Sequence, residues 1–118
     1  MKISDIKALL SATVLCGEEN LDSDIHSACG SDMMSDVLAY VKDQAVLLTG
    51  LVNAQVIRTA EMMDMICIVF VRSKMPTPEM IELAKESGIV LLSTGKRMFE
   101  TCGILYANGL AGNGELHE

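Results

Sequence analysis

Ala45-Val-Leu-Leu-Thr-Gly50, Met65-Ile-Cys-Ile-Val-Phe-Val71 and Gly88-Ile-Val-Leu-Leu-Ser-Thr-Gly95 are three versions of one phrase. Each is a short apolar run closed by a polar or basic turn, and a helical pattern follows each. The helices are expected over Asn53 to Asp64, Pro78 to Ser87 and about Lys96 to Ala107. Apolar runs that alternate with amphipathic helices read as successive β/α units of a parallel sheet. Ligands of such sheets sit beyond the carboxyl ends of the strands. The search for function therefore starts at three loops.

Outward from this repeat, Ile3, Ile6, Leu9 and Leu10 share a helical face, which predicts a first helix from about Ser4. Ala12–Cys16 is a candidate strand, closed by Gly17 and the acidic loop Glu18–Asp22, and Ile25–Cys29 is a second one ended by Gly30. Ser31 or Asp32 can cap a second helix whose Met34, Val37, Leu38 and Val41 follow the i, i+3, i+4, i+7 pattern. Asn53 is the natural cap of the third helix. The fourth is the best punctuated, with Thr77 as cap, Pro78 at the first position, Glu79 at the positive dipole end and Gly88 as left-handed stop. The fifth presents Met98, Phe99, Cys102, Leu105 and Tyr106 as one apolar face. The sum is a single α/β domain over residues 1–110, with a mainly parallel sheet of about four to five strands. The glycine-rich residues 111–118 are expected to form a flexible tail.

Composition narrows the function classes. The formal net charge of -7 argues against nucleic acid, whose binding rests on Lys and Arg neutralising phosphates. No apolar stretch approaches the roughly 20 residues of a membrane helix, and polar residues interrupt the N-terminus, so no membrane segment and a cytoplasmic location are expected. Cys16, Cys29, Cys67 and Cys102 are scattered without a CxxC pair, as buried reduced thiols would be. His26 and Cys29 have the spacing of half a metal site but lack a second close pair, so no metal is expected. His26 reads instead as a residue that packs or caps at a strand edge.

The three loops bring together Thr49, Gly50 and Asn53; Arg72, Ser73, Lys74 and Thr77; and Ser93, Thr94, Gly95, Lys96 and Arg97. Four of the nine basic residues fall here, on one expected edge of an acidic chain. Helix N-termini at the same edge add N–H donors and a positive dipole end. Thr49, Gly50, Asn53, Arg72, Lys74, Ser93, Thr94, Lys96 and Arg97 are thus candidates for binding an anion or nucleotide. The plain alternative is that the hydroxyls and Asn53 cap helices and the basic residues are solvated. Ser93-Thr-Gly-Lys96 is not a phosphate-binding P-loop, because Gly88 lies seven positions before Gly95 and Arg97 stands where a hydroxyl is needed. No GxGxxG occurs, and no nucleophile–base set assembles, so neither catalysis nor a resident cofactor is expected.

Nine methionines exceed what one small core readily absorbs, and the pairs Met33-Met34 and Met62-Met63 each turn one side chain toward the surface. Met33, Met62, Phe99 and Tyr106 are the candidate interface residues of a homodimer.

Cys29-Gly-Ser-Asp-Met-Met-Ser-Asp-Val-Leu-Ala39, Leu48-Thr-Gly50, Pro76-Thr-Pro-Glu79 and Leu92-Ser-Thr94 with Phe99-Glu100 resemble the DRTGG domain family. The resemblance covers about residues 3 to 110 and, more narrowly, the chain looks like the small stand-alone DRTGG proteins of anaerobic bacteria, often encoded near iron-only hydrogenase components. It implies a compact α/β domain related to the non-kinase N-terminal domain of HPr kinase/phosphorylase, used as a regulatory or dimerisation module. The family signature is altered: Leu51-Val52-Asn53 stands at its Asp-Arg pair and Arg72-Ser73-Lys74 at its Thr-Gly-Gly. The leading expectation is a non-catalytic homodimeric regulatory or scaffold module tied to a redox enzyme, with a protein partner. The alternative is a sensor of an anionic small molecule or nucleotide at the three-loop edge.

Overall fold

The three apolar runs become strands β3 (Ala45–Thr49), β4 (Cys67–Phe70) and β5 (Val90–Ser93) in a computed structural model that describes residues 1–40 and 44–112, Tyr40 by its backbone only. They lie parallel and in register, with Leu47 opposite Ile68 and Ile68 opposite Leu91. β2 (Ser27–Gly30) joins β3 in parallel, and β1 (Thr13–Cys16) closes the other side antiparallel to β5. The order is β1-β5-β4-β3-β2. The expected mainly parallel sheet therefore has five strands. β2 begins later than the sequence suggests, because Ile25 is held outside the strand by Met1, whose carbonyl accepts from the Ile25 N–H at 2.6 Å.

Three crossover helices, α2 (Met34–Tyr40), α3 (Ala54–Met62) and α4 (Pro78–Ser87), pack on one face. On the other lie α1 (Ile3–Leu10) and α5 (Met98–Ala107). This double cover explains why the central strands are apolar without alternation. Successive side chains still point to opposite faces. Leu47, Ile68, Phe70 and Leu91 enter the core beneath α2–α4, while Val46, Leu48, Cys67, Val69, Val90 and Leu92 enter the core beneath α1 and α5.

The helix signals resolve unevenly. Thr77 caps α4 as expected, its Oγ1 accepting from Met80 N at 3.2 Å, and Gly88 ends the helix at φ 72°. Asn53 holds the N-cap position of α3, yet its side chain makes no capping bond. Before α2, Ser31 takes the Met33 N–H at 2.9 Å, while Asp32 turns away from the helix toward β3. Val41, expected on the α2 stripe, lies outside the described residues.

The continuous apolar face expected on α5 is in fact divided. Leu105 is buried and Met98 and Cys102 pack partly against the core, whereas Phe99 and Tyr106 face solvent. At 3.6 residues per turn the five span an arc of about 120°, with Leu105 and Met98 at one edge and Tyr106 and Phe99 at the other, and the core takes only the first edge. Beyond α5 the chain turns back: the Leu110 N–H reaches Leu105 O at 3.0 Å, and Ala111 O accepts from Ala28 N at 3.1 Å on the outer side of β2. The packed chain thus runs through Ala111, and residues 113–118 of the expected tail lie outside the described residues. Among the described residues no helix is long and apolar enough to cross a membrane.

Two local geometries generate tests. α5 approaches the end of β2 so closely that a β-carbon on Gly30 would stand 2.6 Å from Cys102 Sγ and 3.2 Å from Met98 Sδ. Gly30→Ala should therefore destabilise by about 1–3 kcal/mol in urea denaturation, as overpacking does, and Cys102→Ala in the same chain should restore most of that. Equal loss in single and double variants would show that this contact is not responsible. The second is the turn Val71–Lys74, in which Arg72 and Ser73 both have φ 58° and the Lys74 N–H donates to Val71 O at 3.1 Å. Left-handed backbone costs a non-glycine residue about 1–2 kcal/mol. Ser73→Gly is expected to raise stability by about 0.5–1 kcal/mol, after the extra chain entropy of glycine is subtracted. A loss of stability on that substitution would contradict the account.

Candidate functional site

Because β2 to β5 are parallel, the loops leaving their carboxyl ends emerge on one side and bond to one another. The Val71 N–H donates to Thr49 O at 3.0 Å and the Thr94 N–H to Phe70 O at 2.9 Å. Ser73 N donates to Thr94 O and Arg72 N to Lys96 O, each at 2.8 Å, while Ser93 Oγ donates to Lys74 O at 3.2 Å. These bonds knit the β3, β4 and β5 loops into one ledge that carries all nine candidate ligand residues. They also hold Arg72 and Ser73 in their left-handed turn, since both N–H groups are aimed at the β5 loop.

Within the ledge the candidates divide by task. The Thr49 hydroxyl is buried, donates to Asp32 Oδ1 at 3.0 Å and accepts from Leu51 N at 3.1 Å. Thr94 Oγ1 donates to Leu10 O at 2.7 Å, tying the end of α1 to the ledge, and accepts from Lys96 N at 3.2 Å. With Ser93 on Lys74, the three hydroxyls act as struts. The Asn53 side chain is exposed and leaves the first turn of α3 uncapped. Arg72, Lys74 and Arg97 are exposed and Lys96 is half-buried. The Arg72 guanidinium lies against Gly50 so closely that a β-carbon there would push its flexible end aside.

Asp32 is the member that reading three loops misses. Its Oδ1 accepts from Gly50 N at 2.7 Å as well as from Thr49, so a carboxylate already holds one of the ledge's N–H donors. The signal was present in the sequence, since Gly30-Ser-Asp32 follows a strand as the other loops do. Only the parallel placement of β2 brings that fourth loop to the ledge.

Other chemistry is less developed. Burial pushes all four thiols upward: Cys67 the furthest, Cys29 also by its neighbours Cys102 and Asp36. Raised thiols are the opposite of the lowered ones that make nucleophiles or metal ligands. Among the described residues no group of three or more His, Cys, Asp or Glu is placed to hold a metal ion. His26 is exposed, with its N–H on Gln44 O at 3.1 Å, and lines a cleft between α1 and the turn after α5. A second cleft, of about 560 Å³, opens directly beside the ledge and is lined by Lys96, Arg97, Phe99, Glu100, Gly103 and Ile104, among others. The candidate interface residues Met33, Met62, Phe99 and Tyr106 are 61%, 69%, 88% and 56% exposed.

Comparison with known proteins bears on the whole of this arrangement. A search of curated proteins finds no match. Among solved structures, the chain is similar to the CBS and DRTGG domains of the regulatory region of Clostridium perfringens pyrophosphatase, complexed with its activator diadenosine tetraphosphate. The TM-score is 0.70 at 18% identity, over 88% of this chain and 45% of that one. The likeness is one of fold, and this chain spans less than half of that structure. The DRTGG domain model matches residues 5–107, from the first turn of α1 to the end of α5. The chain therefore belongs to the DRTGG domain family.

Proposed function

We propose that this domain is a non-catalytic regulatory module that senses a phosphate-bearing small molecule at the ledge. The observation that carries the reading is the convergence of Arg72, Lys74, Lys96 and Arg97, four of nine basic residues in a chain of net charge -7, on loops held rigid by their own backbone bonds. A preorganised cluster of cations beside helix N-termini favours an anion with little ordering to be done on binding. The pyrophosphatase region of the same fold was solved with a four-phosphate activator, which supports a phosphorylated ligand here. That region also contains CBS domains, so the support is general in kind. Asp32 sets a limit on affinity, because its carboxylate holds the Gly50 N–H that an incoming phosphate oxygen would seek.

A homodimer is the second reading, favoured by the exposure of large apolar side chains at Met33, Met62, Phe99 and Tyr106 in a chain with only four aromatic residues, two Phe and two Tyr. Met33 and Met62 lie on the helical layer opposite α5 and can serve a contact that leaves the ledge open, whereas Phe99 stands beside the ledge itself. The tie to a redox system rests on the family resemblance alone.

In a thermal-shift series with tripolyphosphate and ATP, saturation at a hundred times Kd should stabilise by about 2.7 kcal/mol and raise Tm by roughly 10 °C. Arg72→Glu with Lys96→Glu should weaken binding at least about tenfold, or about 1.4 kcal/mol, and added salt should weaken it further. Gly50→Ala should fold normally yet bind less well, because the new methyl group displaces a flexible guanidinium rather than backbone. Absence of any shift at millimolar ligand would sink the sensor reading. Light scattering at micromolar concentration should give twice the chain mass of 12.7 kDa, and a strict monomer would remove the dimer.

A further inference from the structure

We infer that the ligand of the ledge is a nucleotide whose base stacks on Phe99 in the adjoining cleft while its phosphates lie on the basic loops. The inference rests on the ledge binding phosphate and adds the other half of the ligand. Phe99 is one of only two phenylalanines; the other, Phe70, fills the core, while Phe99 is 88% exposed. It stands at the second position of α5, two residues after Arg97, so an aromatic face lies directly beside the ledge's cations. Folding gains nothing from an aromatic ring left in water, whereas a planar ligand gains stacking area there.

The cleft has the shape for such a group. Its volume of about 560 Å³ falls within the usual range for small-molecule sites. Phe99, Gly103, Ile104 and Ala107 make its wall apolar, and Gly103, with nothing near the place of its missing β-carbon, leaves the outer face of α5 open one turn beyond Phe99. Lys96 and Arg97 belong to both the cleft and the ledge, which joins an apolar end to a cationic end. Glu100, whose Oε1 accepts from Arg97 N at 3.2 Å, sets one carboxylate against these two cations, so the cleft keeps a net positive end.

The competing occupant is a second copy of the chain. A two-fold contact centred on Phe99 would gather Lys96 and Arg97 of both copies around the axis, two cations from each copy against one carboxylate, Glu100, and the excess charge disfavours it. Phe99 is therefore assigned to the ligand cleft, and a dimer is left to the opposite helical layer, where Met33 and Met62 are exposed. Stacking is tolerant of base identity, so the inference concerns any purine or pyrimidine nucleotide.

The test compares ATP with tripolyphosphate by titration calorimetry on wild type, Phe99→Ala and Phe99→Trp. Phe99→Ala should lower affinity for ATP roughly five- to hundredfold, the usual range for losing a stacked base, and leave tripolyphosphate affinity unchanged. Phe99→Trp should retain ATP binding and, in a chain with no other Trp, report it as fluorescence quenching that tripolyphosphate does not produce. Binding of both compounds unaffected by Phe99→Ala overturns the nucleotide inference and leaves the phosphate ledge standing. Binding of neither compound to wild type overturns the ledge and the inference with it. A wild-type dimer that Phe99→Ala converts to monomer in light scattering assigns Phe99 to the second copy and also overturns the inference.

Discussion

A sheet covered on both faces has no room for polar side chains along its strands. Each central residue from Ala45 to Leu48, Cys67 to Phe70 and Val90 to Leu92 is buried, alternately under one helical layer and the other. An unpaired polar group in either core would cost about 1–3 kcal/mol. Polar chemistry is thereby confined to the strand ends. Thr49 and Ser93, the last residues of β3 and β5, are where hydroxyls first appear, and both are hydrogen-bonded at once. The same constraint that makes the core apolar thus concentrates the candidate site on a single ledge.

The ledge is rigid because its loops share backbone bonds. Arg72 and Ser73 accept an unfavourable conformation in order to place their N–H groups on Lys96 and Thr94. Strain of this sort persists where surrounding contacts over-determine it, and such places are often functional. Here it lays the exposed Arg72 side chain across Gly50, and it fixes the Lys96 backbone from which the adjoining cleft begins. Asp32 works in the opposite sense. By holding Gly50 and Thr49 it steadies the ledge while lowering its positive potential, so one carboxylate couples the β2–α2 connection to the electrostatics of the site.

Belonging to the DRTGG family places these features on a known scaffold without transferring a site. The turns Leu51-Val52-Asn53 and Arg72-Ser73-Lys74 both lie on the ledge. A tight left-handed turn that glycine would occupy freely is built from Arg72 and Ser73, which adds a cation at the cost of local strain. The sensor reading thus depends on the cations that these loops carry.

The sequence by itself determined the strands and helices, because an unbroken apolar run and a 3.6-residue period are local signals. The Thr77-Pro78-Glu79 start and Gly88 stop of α4 were legible for the same reason. Gathering three loops, two of them basic, on one edge needed only the assumption of parallel strands. Tertiary structure decided the rest. Asp32 reads locally as a helix cap, yet it bonds to β3, which lies beside it only because β2 pairs there. The five apolar positions of α5 read as one face until packing against β2 and β3 selects Leu105 and leaves Phe99 and Tyr106 outside. Thr49, Ser93 and Thr94 look like ligand contacts in the sequence, whereas the fold employs them as struts. Side-chain type states what a residue can bond; only the position of its neighbours states which bond it makes.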